Sequence, residues 1–338
     1  MGASARPPHE QRGAGPAACS GPAPLDDARL RVITVQNVET SSVATRTLTV
    51  AVCTRNRRDD LRECVASVLA NPGDSFELLI VDQSDEPDAS LEARARADAR
   101  LRYHVAASRG LSRARNEVLE LARGRIIAFT DDDCRVSAAW VRNIERYFEA
   151  HPEHAVVFGR VIAPAELHSK GYVATFEPQE ETFVKRFPSP IGTWGIGACM
   201  VLRREAIAGL GGFDPALGAG APIPAGEELD FTIRAIGAGL IMATTGAFEV
   251  THLGVREHDA ARKLFLGYVE GAGAAYVKNI RLATPGSKRL FARWFAGVGQ
   301  RVLLAAATGR RPLGAGILAA GLRGGLRTLR LPRDRRVR

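Results

Sequence analysis

The period of the hydrophobic positions changes several times along the chain, and each change marks an element. Leu48–Cys53, Phe76–Val81, Ile126–Phe129 and Val156–Val161 are solid apolar runs, and Leu101–Val105 is a weaker one. Short continuous runs of this kind predict strands buried on both faces. Between them, apolar residues recur at helical spacing: Leu61, Cys64, Val65, Val68 and Leu69, then Leu111, Ala114, Val118, Leu121 and Ala122, then Trp140, Val141, Ile144, Tyr147 and Phe148. Asn71-Pro72-Gly73 and Gly124 stop the first two helices. Strands alternating with helices predict an α/β fold, a mostly parallel sheet flanked by helices. In such sheets functional groups gather at the carboxyl ends of the strands.

The second half of the chain is less regular. Residues 164–195 read as loop and short elements, Gly197–Arg203 as a strand and Gly211–Asp214 as a turn. Glu227–Gly237 predicts a helix with an acidic start, and a weak strand leads into Val250-Thr251-His252. Lys263–Arg281 predicts a helix despite its three glycines. Before the first strand, Met1 to about Ala28 is rich in Ala, Gly, Pro and Arg and reads as a disordered leader. A β-like run, Leu30–Val35, and a Ser/Thr-rich link follow it.

Composition narrows the class. Apolar residues make up 46% of 338 and charged residues 25%, enough for a core and unlike a fibrous or wholly disordered chain. Aromatic content of 6% argues against a base-stacking surface, and no specific nucleic-acid partner is expected. The net charge of +9 is uneven: Arg281–Arg338 holds 14 Arg or Lys and one acid, a segment charge of +13 that leaves the remainder at −4. With Phe291, Trp294, Phe295, Val302, Leu303, Leu304, Ile317 and Leu318 interleaved, this segment suggests a basic amphipathic extension at an anionic membrane surface. A packed helical extension with a solvated arginine face is the alternative. Five scattered cysteines without a CxxC pair fit a reducing cytoplasm. Neither a signal peptide nor an uninterrupted apolar span is visible.

The strongest chemical signal is Asp131-Asp132-Asp133, placed directly after Ile126–Thr130. An isolated acidic triplet is ordinarily a solvated turn. At the end of a buried strand, three adjacent carboxylates instead call for a cation between them. Hard divalent ions prefer such oxygen donors and commonly bridge them to substrate phosphates. A second acidic cluster, Glu227-Glu228-Leu229-Asp230, suits a helix N-terminus on dipole grounds alone. It also offers three candidates for a general base: Glu227, Glu228 and Asp230. At the helix's 100° per residue, Glu227 and Asp230 share a face with Arg234, and Glu228 points away from it. Asp82 is either a strand-end cap or a nucleotide contact, and His252 alone is no more than one of seven histidines. No phosphate-loop motif is present.

Taken in order, these motifs resemble the family 2 glycosyltransferases. Val50–Arg57, Leu79–Ser84, Gly110–Asn116 and Gly124–Asp133 are similar to that family's nucleotide-binding half, and Gly212-Phe213-Asp214 and Gly226–Phe231 with Arg234 to its acceptor half. The resemblance covers about residues 47–255. It implies the A-type glycosyltransferase fold, with 47–160 as the nucleotide-sugar half and 161–255 as the acceptor half, between a leader and link (1–46) and a helical, basic extension (256–338). It implies a nucleotide-diphospho-sugar donor, Mn²⁺ or Mg²⁺, a carbohydrate or lipid-linked acceptor, and inversion at the anomeric carbon. By this resemblance Thr54, Arg55, Asp82, Arg115, Asp131 and Asp132 contact the sugar nucleotide, and Asp133, Asp131 and His252 hold the metal. Glu228 stands at the base position, although the family's usual residue there is Asp, and Glu227 and Asp230 remain candidates. A nucleotidyltransferase would carry a Gly-rich loop after the first strand, which Cys53–Arg57 is not. An inactive sugar-nucleotide-binding relative is supported by the Glu228 departure alone. The expected location is cytoplasmic, peripheral at the inner face of the cell membrane.

Overall fold

The computed structural model describes residues 46–187, 195–307 and 313–331, so the leader and the run Leu30–Val35 lie outside the described residues. The elements are β1 Leu48–Thr54, α1 Arg58–Leu69, β2 Phe76–Asp82, α2 Ala89–Ala97, β3 Leu101–Val105, α3 Leu111–Leu121, β4 Ile126–Asp131, β5 Cys134–Val136, α4 Trp140–Ala150 and β6 His154–Ile162. They continue with β7 Tyr172–Val173, β8 Thr182–Val184, β9 Met200–Arg203, α5 Arg204–Ile207, α6 Glu227–Gly237, β10 Ile241–His252, β11 Val255–Arg256, α7 His258–Arg281, α8 Ser287–Ala307 and α9 Leu313–Leu329.

The main sheet runs β3-β2-β1-β4-β9-β6-β10-β5, with β8 also paired to β10. β1 is parallel to β2 and β4, and β2 is parallel to β3. β9 is antiparallel to both β4 and β6, so it reverses the sheet at its centre. Successive side chains of a strand leave on opposite faces. Leu48, Val50, Val52, Leu78 and Ile80 therefore enter one core, with α1 and α4 over it. Ala51, Leu79 and Val81 enter the other, under α3, α6 and the start of the C-terminal helices. Three layers result, and both faces of the central strands are dry.

Two elements escape the periodicity argument. α2 buries a single residue, Leu91, and is otherwise Ala, Arg, Ser90 and Glu92; it is started by Asp88, which accepts from Ser90 N and Leu91 N. β5 is three residues long, too short for a period, and immediately follows the acidic triplet.

The C-terminal helices correct part of the membrane-facing set expected above. Phe291 and Trp294 pack against the second core and beside Tyr276. The side chains of Val302, Leu303 and Leu304 lie outside the described ones. The glycines that weaken α7 as a helix serve it as a seam: a Cβ at Gly273 would stand 2.1 Å from Gly321 O of α9, and one at Gly324 would stand 1.9 Å from Glu270 O of α7. Only backbones without side chains approach this closely.

Candidate functional site

The strand ends come first. In register, Thr54 pairs with Asp82 and Cys53 with Asp131, so the carboxyl ends of β1, β2 and β4 form one line. A cleft of about 360 Å³ opens there, lined by Thr54, Asn56, Asp82, Ser84 and Asp85 among others. Asp82 is buried and oriented by Ser84 N (2.7 Å) and by the hydroxyl of Tyr103. Arg55 stays at the rim, half exposed, 3.7 Å from Asp85.

Within the triplet the three carboxylates have different surroundings. Asp132 accepts from Thr54 Oγ1 at 2.7 Å and from Arg57 Nη1 at 2.9 Å. Burial outweighs these contacts and pushes its carboxyl up to about 6. Asp133 is also buried, but His252 and Arg57 overcome the desolvation and hold it well below the usual carboxylate range. Asp131 is raised, chiefly by burial, with Arg115 opposing and Asp133 adding to it. Arg57 bridges Asp132 and Asp133 through a single nitrogen, 2.9 Å from each. Its place in the run Val50–Arg57 was legible in the sequence, but not its reach across 75 residues.

His252 reaches the triplet through β5. The antiparallel pairing of β10 with β5 sets His252 opposite Cys134, and Leu253 N donates to Asp133 O at 2.9 Å. His252 Nδ1 lies 3.0 Å from Ala174 O, which can only accept, so that nitrogen carries a proton. Nε2 is thereby aimed at Asp133 Oδ1, 3.3 Å away. An imidazole nitrogen beside a carboxylate, with the far nitrogen held by a carbonyl, is a suitable donor pair for a divalent ion. Gly254 keeps the pair open: a Cβ there would lie 2.2 Å from Asp133 Oδ2 and 3.1 Å from His252 Nε2. Cys134 Sγ is within 4.8 Å of both donors, but burial holds its thiol protonated, which suits a hard-ion site better than a soft one.

The second acidic cluster enters from α6. Gly226 starts the helix at φ 96°, and its α-carbon abuts Gly271 of α7. Glu227 and Glu228 both reach Arg115 Nη1, at 3.3 and 3.0 Å. Of the face expected to hold Glu227, Asp230 and Arg234, the Asp230–Arg234 pair forms, but Glu227 turns instead to Arg115 at the helix end, where it meets Glu228. Burial, and then the charge of Glu228, raises the Glu227 carboxyl. Asp230 is fully buried and saturated: Arg234 Nε at 3.1 Å, Lys278 Nζ at 2.8 Å and Asn279 Nδ2 at 2.9 Å all donate to it.

Arg115, expected on the sugar nucleotide, is 2% exposed, with its guanidinium near Phe129 and Phe213. The neighbouring Asn116 exchanges two hydrogen bonds with the backbone of Phe213, and Ser112 Oγ donates to Leu217 O. The Gly110–Asn116 motif thus ties α3 to the Gly212-Phe213-Asp214 loop and to α6. Tyr268 of α7, 44% exposed, stands three residues before the Gly271 that abuts the start of α6. Burial and the charges of Tyr172, Glu228 and Asp131 keep its hydroxyl protonated. No sequence pattern pointed to it.

Residues 49–211 match the family model described as glycosyl transferase family 2. Over 119 residues the chain is 29% identical to the glucosyl-dolichyl phosphate glucuronosyltransferase of Haloferax volcanii, a match over 34% of this chain and 38% of that protein. The mannosyltransferase PcManGT from Pyrobaculum calidifontis, solved in complex with GDP-Man and Mn²⁺, superposes with a TM-score of 0.52 at 18% identity, covering 84% of this chain and 87% of that one. S. aureus TarS 1-349 in complex with UDP-GlcNAc gives a TM-score of 0.51 at 16% identity, covering 68% and 66%. The two solved structures share the fold with this chain.

Proposed function

We propose that the protein, whose residues 49–211 match the family model of glycosyl transferase family 2, moves a sugar from a nucleotide-diphospho-sugar to an acceptor hydroxyl with inversion at the anomeric carbon. The observation that carries this reading is the convergence of Asp133 and His252 with a separate carboxylate, Glu228, from the other half of the domain. Arg115 links the two: it lies 3.0 Å from Glu228 and its guanidinium stands 5.7 Å from the ring of Phe129 on β4, two residues before Asp131. That the solved relatives bind GDP-Man with Mn²⁺ and UDP-GlcNAc supports a sugar-nucleotide donor.

The nucleoside lies in the cleft beside Thr54 and Asp82, with Arg55 at its mouth. Asp133 and His252 would hold Mn²⁺ or Mg²⁺, with Asp131 and Asp132 on the ribose side. A divalent ion bound there supplies charge compensation for the departing diphosphate. Glu228 accepts the acceptor's proton while the acceptor oxygen bonds to the anomeric carbon and the bond to the diphosphate breaks. Arg115 holds the Glu228 carboxylate in place, and shared orientation of both substrates lowers the entropic barrier. Asp230, satisfied on both oxygens, is structural in this scheme. Glu227, sharing Arg115 and buried, positions it. The acceptor is a carbohydrate or a lipid-linked saccharide, met by a peripheral enzyme at the inner face of the cell membrane. No helix among the described residues is long and apolar enough to cross a membrane.

The test is product analysis with a panel of nucleotide-diphospho-sugars, Mn²⁺ and carbohydrate or lipid-linked acceptors. A glycosylated acceptor with inverted linkage and free nucleoside diphosphate is the expected result. Release of pyrophosphate with nucleotidyl transfer, or donor binding without turnover across the panel, would overturn the proposal.

A further inference from the structure

α9 is amphipathic in the reverse sense for a water-soluble surface. It buries its small residues, Ala320, Gly321, Gly324, Gly325 and Thr328, along the seam with α7. Its large apolar residues face outward: Leu322, Leu326 and Leu329 are 49, 61 and 55% exposed. Their spacing, four then three, puts them on one stripe. Arg323 and Arg330 are exposed beside them, and Arg323 and Arg327 are anchored by Glu270 on α7. No acidic side chain lies on α9, and the segment from Arg281 onward carries +13. Scattered exposed leucines need no explanation, but three in register on one helix, flanked by arginines, mark a contact surface.

We infer that the outer face of α9 docks on an anionic lipid surface, with Leu322, Leu326 and Leu329 entering the headgroup boundary and the flanking arginines on lipid phosphates. Charge decides between a membrane and a second copy of this chain. Two α9 faces brought together would oppose arginines with arginines and gain little apolar area, whereas an anionic leaflet neutralises them. The helix lies in the interface without crossing it, as an amphipathic helix does. The glycine seam gives the geometry a purpose: it holds α9 flat against α7, whose Gly271 touches the start of α6, so the docked face and the Glu228 end of the site belong to one packed unit. The inference rests on the packing of α9 and not on sugar transfer, and its test reads binding without turnover.

The full-length chain is sedimented with vesicles of phosphatidylcholine alone and of phosphatidylcholine with phosphatidylglycerol, at low and high salt. It should pellet with the anionic vesicles, less so at high salt, and remain in solution with the neutral ones. The combined variant Leu322→Ser, Leu326→Ser, Leu329→Ser should lose partitioning by about tenfold or more, given the apolar groups removed, with its thermal unfolding unchanged. Arg330→Glu, which leaves the seam intact, should weaken binding independently, and it decides the matter if the serine variant fails to fold. Equal pelleting by wild type and Arg330→Glu, no pelleting of wild type, or a concentration-dependent dimer that the serine variant abolishes would each overturn the inference.

Discussion

Glu228 and Asp230 stand two positions apart on α6 and have opposite surroundings. Asp230 has no exposure and three donors, whereas the Glu228 side chain keeps 25% exposure and is met by Arg115 and by the neighbouring Glu227 carboxyl. Asp230→Asn should therefore act on stability: it uncouples Arg234 and Lys278 from a buried charge, a loss of about 3–5 kcal/mol readable by denaturant unfolding. Glu228→Gln should leave unfolding unchanged and lower turnover by about 10² to 10⁴, the range for a lost general base. Glu228→Asp should recover part of the rate. A Glu228→Gln enzyme at wild-type turnover would transfer the base role to Glu227. At the other pole, Asp133→Ala or His252→Ala should abolish Mn²⁺-dependent nucleotide binding in calorimetry while the fold stays intact. Tyr268→Ala should raise the acceptor KM and leave donor affinity alone, since Tyr268 belongs to α7, which abuts the start of α6 at Gly271.

At the scale of elements, the instructive cases are those with weak sequence signals. α2 has no apolar stripe, and what starts it is Asp88, whose carboxylate receives Ser90 N at 2.9 Å and Arg62 Nε at 2.7 Å. Burial raises that carboxyl, but the bonds from Arg62 and Ser90 outweigh burial and bring it down to about 2. A depressed carboxylate contributes its stability above the unfolded value of about 3.9 and loses it as pH falls through the folded one. The α2 contribution should thus persist at pH 5 and fade between about pH 4 and 2, as amide exchange within α2 would show. Asp88→Ala should cost about 0.5–2 kcal/mol at neutral pH, the usual worth of an N-cap. β5 is too short for any periodicity, yet without it His252 would have no register against Cys134. In the C-terminal helices, Gly324→Val should lever α9 off α7, because its side chain would begin 1.9 Å from Glu270 O; faster proteolysis after Arg323 or Arg327 would report it.

For the molecule as a whole, a thermal-shift screen of nucleotide sugars with and without Mn²⁺ should single out one donor, since a ligand of the folded state at a hundred times its Kd adds about 2.7 kcal/mol. The alternation of solid apolar runs with helical periods determined the α/β class by itself, because a strand buried on both faces has no polar side to show. It also placed Asp82 and Asp131 at strand ends, because the runs stop there. The partners of these residues were another matter. That Asp230 is consumed by Lys278 and Asn279, that Arg115 reaches Glu227 and Glu228, and that Arg57 spans Asp132 and Asp133 are contacts between residues 48 to 113 positions apart, on different elements. The position of a general base or a metal ligand depends on such cross-layer contacts. So does the outward turn of Leu322, Leu326 and Leu329: the sequence marked the segment only as basic and amphipathic, and the glycine seam, a matter of backbone approach with no hydrophobic signature, decided which of its side chains face solvent.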